Sequence, residues 1–251
     1  MNTATHAIAA HASYLYDRHT LAVRLMHWIN VVAMTVLFMS GLQIFNAHPA
    51  LYWGKSSYSG RPPVFQIDTV TGADGSRQVR AFPAWITVPA RYALGMAREW
   101  HFFFAWVFVL NGAAYVLYAV GTRHLMRDLA PTGADWRGIG QSIKDHVRFK
   151  HPRGDAARRY NVLQKLAYLG VIFVLLPLII LAGWAMSPFL NSIAPGWVDW
   201  LGGRQSARTI HFIVAWLLFL FVAVHVFEVI VSGLWNHLRS MITGRYRITR
   251  E

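Results

Sequence analysis

Residues 208–233 read RTIHFIVAWLLFLFVAVHVFEVIVSG. After Arg208 the only ionisable side chains in this run are His211, His225 and Glu228. About 20 mostly apolar residues suffice to carry a helix across the hydrocarbon core of a bilayer, and this stretch supplies them. Its two histidines lie 14 residues apart. That is about 3.9 helical turns, so they share a face and stand about 21 Å apart along the axis. Ionisable groups are costly inside a bilayer and point to function there.

Three further stretches meet the same criterion: about Leu21–Ile44, Trp100–Gly121 and Val162–Met186. Pro177 inside the third predicts a kink rather than a stop. The expected fold is an all-α membrane protein, a bundle of four transmembrane helices. Composition agrees, since only 14% of the 251 residues are charged against about 25% in a soluble domain. Cysteine is absent, which excludes disulfides, iron–sulfur clusters and covalently attached c-type haem. The net charge of +13 reads as membrane topology rather than as a nucleic-acid surface. The first 20 residues, with His6, His11, Asp17 and Arg18, contain no apolar core of a cleavable leader.

These spans divide the chain into an N-terminal segment (1–20), a four-helix domain (21–245) and a short tail (246–251). A long insertion, about Phe45–Glu99, separates the first two spans. Within it Val64–Val70 and Arg77–Phe82 alternate around Thr71-Gly72-Ala73-Asp74-Gly75, which predicts a β-hairpin. A second long loop, about Thr122–Asn161, separates spans two and three. Sixteen of the 24 Lys and Arg residues fall in the chain through Arg24, in Thr122–Lys165 and in the chain after Gly233. That bias puts both termini in the cytoplasm and the hairpin-bearing loop in the periplasm of a bacterial inner membrane.

Four of the 12 histidines lie in apolar spans: His27, His101, His211 and His225. His27 and His225 sit some way inside the cytoplasmic ends of their helices, whereas His101 and His211 open theirs from the periplasmic side. Each level therefore offers two imidazoles from different helices, as bis-histidine ligation of haem b in a helix bundle requires. Zinc and copper sites gather three or four ligands around one ion, so two separated pairs suit two haems better. The simpler alternative, satisfied interfacial histidines, applies to any one of them alone.

Arg24-Leu25-Met26-His27-Trp28, Arg208-Thr209-Ile210-His211 and His225-Val226-Phe227 resemble the motifs of the prokaryotic cytochrome b561 superfamily. The resemblance covers roughly residues 18–245. It extends to the cytochrome b subunits of nickel–iron hydrogenases, the gamma subunits of respiratory formate dehydrogenases and the thiosulfate-reductase cytochromes b. It implies the same pairing as the topology, His27 with His225 and His101 with His211. The long periplasmic loop departs from the shorter subunits. The bc-complex cytochrome b, which carries a paired-histidine motif on each of two helices, fits poorly.

Other residues admit two readings each. Arg24 and Arg208 stand one turn before a proposed ligand, suited either to haem propionates or to an ordinary helix end. Tyr160-Asn161-Val162-Leu163-Gln164-Lys165 resembles the stretch bordering the quinone site of formate dehydrogenase gamma subunits. Asn161 and Gln164 share a helix face and either address a quinone carbonyl or cap the helix. Glu228 either relays protons to a quinone or pairs with a base such as Arg24. Gly41, Gly112, Gly170 and Gly183 read as close packing of helices or haem.

The expected function is that of a dihaem b-type electron-transfer subunit. It would connect a periplasmic oxidoreductase, of molybdopterin or nickel–iron hydrogenase type, to the membrane quinone pool. The alternative is a self-contained quinone reductase or superoxide oxidase of the b561 type. The elaborate periplasmic loop favours the docked subunit.

Overall fold

The structure is a computed structural model, and it describes residues 13–57, 60–67, 70–71, 75, 77–78, 81–123, 125–148, 160–194 and 196–249. His6, His11 and the expected hairpin-turn residues Gly72, Ala73 and Asp74 lie outside them.

Four helical stretches are long and apolar enough to cross a membrane: Leu21–Asn46 (α1), Leu94–Gly121 (α2), Val162–Ala185, and Arg204–Val231 (α8). The second and fourth begin earlier than hydropathy alone predicts, because helix extends into polar flanks such as Arg98 and Glu99. Exposed apolar residues run in stripes along them. On α2, Phe103, Leu110 and Leu117 are 63%, 64% and 74% exposed at seven-residue spacing, a lipid-facing stripe on one helix face.

The third span is one continuous run built from two α-helices, α5 (Val162–Gly170) and α6 (Leu176–Ala185), joined by a π-helical turn at Val171–Leu175, and the short α7 (Pro188–Ile193) follows it. Pro177 explains the turn. It has no N–H to donate and its ring crowds the carbonyl of Phe173. The helix widens so that the Leu176 N–H reaches the Val171 carbonyl five residues back.

By its internal contacts the chain divides into two compact units. One comprises Met26–Tyr118 and Leu169–Val224, the other Met1–Leu25, Ala119–Tyr168 and His225–Glu251. In the first unit α1, α2, α6 and α8 pack together. Phe38 of α1 stacks on Phe219 of α8 and meets Trp216 edge-on, and Trp106 of α2 faces Trp184 of α6. Asn111 of α2, almost fully buried, donates to the Met26 carbonyl and to Asn30 Oδ1 of α1, both at 2.8 Å.

The loop after α1 is tied down in the same unit. β2 (Ala50–Leu51) pairs antiparallel with β3 (Phe65–Gln66), and β4 (Val70–Thr71) with β5 (Arg77–Gln78). The predicted hairpin is thus two residue pairs long. The first half of its expected leading strand pairs instead with residues next to α1. Phe65 and Phe82 pack with Phe45, Phe212 and Trp216. Asn46 bonds the Phe82 backbone in both directions, at 2.8 and 2.9 Å. Gly203 has φ +101 and approaches Lys55 so closely that a β-carbon there would stand 2.8 Å from the Lys55 Cα. Only glycine fits such a position.

In the second unit β1 (Ser13–Asp17) pairs antiparallel with β6 (Arg245–Thr249). Between spans two and three the second loop forms α3 (Gly133–Arg137) and α4 (Ile139–Val147). The fourth span is followed by α9 (Leu234–Thr243), which bonds β6 through Asn236 and Arg247.

Candidate functional site

The structure brings His101 of α2 and His211 of α8 together, with ring centres 6.2 Å apart and planes inclined at 63°. Two imidazoles sharing one metal ion stand about 6 Å apart centre to centre, from two metal–nitrogen bonds of about 2 Å and about 1 Å from nitrogen to ring centre on each side. The separation fits.

The outer nitrogens are already engaged. His211 Nδ1 lies 3.0 Å from the carbonyl of Ile179, which can only accept, so Nδ1 carries the proton. That leaves Nε2 with the lone pair that a metal needs. His101 Nδ1 lies 3.0 Å from Ser40 Oγ on α1. Two of the four glycines singled out in the sequence lie beside these rings, Gly183 closer than ordinary contact allows a β-carbon and Gly41 at ordinary contact distance. A β-carbon at Gly41 would stand 3.5 Å from His101 Cε1, and one at Gly183 3.2 Å from His211 Cε1. At Gly112 and Gly170 a β-carbon would meet nothing within 4 Å. Among the described residues no three His, Asp or Glu side chains gather around a common point.

Arg208, one turn before His211, grips the loop after α1. Its guanidinium donates to the His48 carbonyl and, at 3.2 Å, to the Ala50 carbonyl. Thr209 donates to the Tyr52 carbonyl at 2.7 Å, and Gly54 N–H to Ser206 Oγ at 2.8 Å. Burial and the Arg208 charge both hold the His48 imidazole below its usual pKa.

His27 belongs to the same unit as this pair, His225 to the other. In that second unit Arg24 Nε is buried without a hydrogen-bond partner among the described residues. Asn161 and Gln164 form a reciprocal cap on α5. Asn161 Oδ1 accepts from the Leu163 N–H, and Gln164 Oε1 from the Asn161 N–H, both at 3.1 Å. The capping therefore uses the amide oxygens and not the NH2 donors. Glu228 faces His146 Nε2 of α4 at 3.6 Å. Lys165, 8% exposed, pairs with Asp135 at 2.9 Å. Asp135 also caps α3. The Thr132 backbone N–H and the Lys165 ammonium lower its pKa to about 2.

Sequence reasoning missed Ser40, His146 and the Lys165–Asp135 pair. For Ser40 a signal was present, a hydroxyl beside a glycine within an apolar span.

The prokaryotic cytochrome b561 family matches residues 18–244. Over 234 residues, 92% of this chain and 98% of the relative, the sequence is 29% identical to a protein named as the protein-methionine-sulfoxide reductase subunit YedZ1 of Azospira oryzae. Over 253 residues, 96% of this chain and 88% of the relative, it is 25% identical to one named as a Ni/Fe-hydrogenase B-type cytochrome subunit of Cupriavidus necator. With four apolar spans and a two-imidazole site inside them, the chain is a multi-pass membrane protein belonging to the prokaryotic cytochrome b561 family, for which haem b is the implied cofactor.

Proposed function

We propose that the chain is a dihaem b-type subunit passing electrons between a periplasmic redox enzyme and the membrane quinone pool. The observation that carries the reading is the His101–His211 pair, two imidazoles at metal-bridging separation with both outer nitrogens engaged. These two residues would hold one haem. His27 and His225 would hold the other, an assignment supported by their depth in the spans and their spacing in sequence. Haem supplies reversible one-electron chemistry, and the protein supplies ligands, burial and hydrogen bonds.

Arg24 supports the second site. A buried guanidinium nitrogen without a partner is costly, and a haem propionate three residues from His27 would satisfy it. Arg208 uses two of its five N–H donors on the loop after α1. Its role is to hold that loop over the His101–His211 end. The two relatives are named as subunits of a reductase and a hydrogenase, which supports docking of a redox enzyme. Both termini would be cytoplasmic and the membrane the bacterial inner membrane, on the Lys and Arg bias.

The quinone would bind near the start of α5. Its carbonyls are acceptors, and the amide NH2 groups of Asn161 and Gln164 are the donors that capping leaves over. Glu228 with His146 would carry the protons that accompany quinone chemistry.

Asn161→Asp with Gln164→Glu tests this, because both replacements keep the capping oxygen and delete the NH2 donor. Both haems should remain bound. Reduction of the haems by quinol should slow about five-fold per lost hydrogen bond, from about 1 kcal/mol each. An unchanged rate would place the quinone elsewhere.

A further inference from the structure

The two imidazoles of the His101–His211 pair are held by different chemistry, and the difference can be removed by mutation. His211 Nδ1 faces a main-chain carbonyl. His101 Nδ1 faces the hydroxyl of Ser40, a fully buried side chain, and the His101 ring also bonds the Leu37 backbone. That hydroxyl lies 2.6 Å from the Val36 carbonyl and 3.2 Å from the Leu37 carbonyl. It has one hydrogen, and both carbonyls can only accept. The Ser40 hydrogen is therefore spent on its own helix, and the oxygen turned to His101 must accept. His101 is thereby fixed as the Nδ1–H tautomer, with Nε2 unprotonated.

We propose that Ser40 is a positioning residue for His101. With the Leu37 backbone it holds the ligating tautomer and orients the ring beside Gly41, and its own oxygen tunes the reduction potential of the haem that His101 would hold. The inference rests on the reading of His101 and His211 as haem ligands. An acceptor on Nδ1–H makes the opposite nitrogen a stronger donor, which favours the oxidised metal and lowers the potential. The Val36 carbonyl matters indirectly, because it consumes the Ser40 hydrogen and so forces the oxygen into the accepting role.

The test uses the purified full chain with its haem, titrated potentiometrically, with haem counted by pyridine haemochrome. Ser40→Ala removes the acceptor, and Ser40→Cys replaces it by a weaker one of similar size. Both variants should keep the native haem content. The potential of one haem, the one lost in His101→Ala, should rise in both, and further for Ala than for Cys. A residue that merely fills space would not produce that order. Unchanged potentials in both variants would overturn the proposal, as would equal shifts of two haems. If Ser40→Ala fails to retain haem, the Cys variant decides by the same criterion. A native protein whose haem survives His101→Ala refutes the ligand reading itself, and does so with Ser40 untouched.

Discussion

Gly183 lies against His211 so closely that a β-carbon would stand 3.2 Å from the imidazole Cε1 and 3.4 Å from Nδ1. Gly183 is also one turn along α6 from Ile179, whose carbonyl takes the His211 Nδ1 proton. The missing side chain is what lets the ring reach that carbonyl.

Gly183→Ala should therefore push the ring off its acceptor, at an overpacking cost of about 1–3 kcal/mol. The haem held there should bind more weakly, read as a fall in haem-to-protein ratio after dilution in detergent. Gly41→Ala meets His101 only at ordinary contact distance, 3.5 Å, and should keep native haem content. Equal behaviour of the two variants would show that the Gly183 contact does not govern the ring.

The Lys165–Asp135 pair ties the loop helix α3 to the start of the third span. The Asp135 carboxyl has a folded pKa of about 2, below its ordinary 3.8. A depressed carboxylate contributes stability in full above its unfolded pKa and loses it as pH falls through the folded one. The contribution should be constant from pH 8 down to about pH 4 and vanish towards pH 2. Asp135→Asn should lower stability by about 1.5–3 kcal/mol at neutral pH, the range for hydrogen bonds to charged groups, and the difference from native should shrink below pH 4. Thermal melts in detergent across that range measure it. A difference that grows as pH falls would contradict the assignment.

The loop after α1 has an anchored part. Phe65 and Phe82 are structural, packed on Phe45, Phe212 and Trp216. Phe82→Ala should cost about 2 kcal/mol in stability, from lost apolar burial. Replacing residues 68–80 by a short polar linker spares these anchors. It should leave the haem spectrum unchanged while slowing electron exchange with the proposed partner enzyme. Haem loss on that replacement would make the whole segment structural.

Much of this fold was legible in the sequence because lipid imposes a simple rule, a run of about 20 apolar residues per crossing. The four spans follow from it, and the spacing of His211 from His225 is the basis for proposing two sites along one helix. What escaped is non-local. Nothing in the periodicity of α1 says that Ser40 meets His101, because hydrogen bonds between spans leave no repeat. For Glu228 the sequence leaves a proton relay, a partner base such as Arg24 and the headgroups open, and it does not point to His146, which the carboxylate faces from a loop helix. The chain ends pair as β1 and β6, a contact between strands at opposite ends of the sequence that no local pattern announces. Asn161 and Gln164 were read as either cap or quinone contact. The cap is present, and it uses only the oxygens, so the two readings are compatible.

The central claim is that two imidazole pairs hold two haems. Pyridine haemochrome of the purified native chain should give about two non-covalent haems b per chain. His101→Ala and His211→Ala should each retain about one and lose the same component of the reduced α-band, while His27→Ala and His225→Ala lose the other. One haem or none in the native protein, or different components lost from His101→Ala and His211→Ala, would contradict the account.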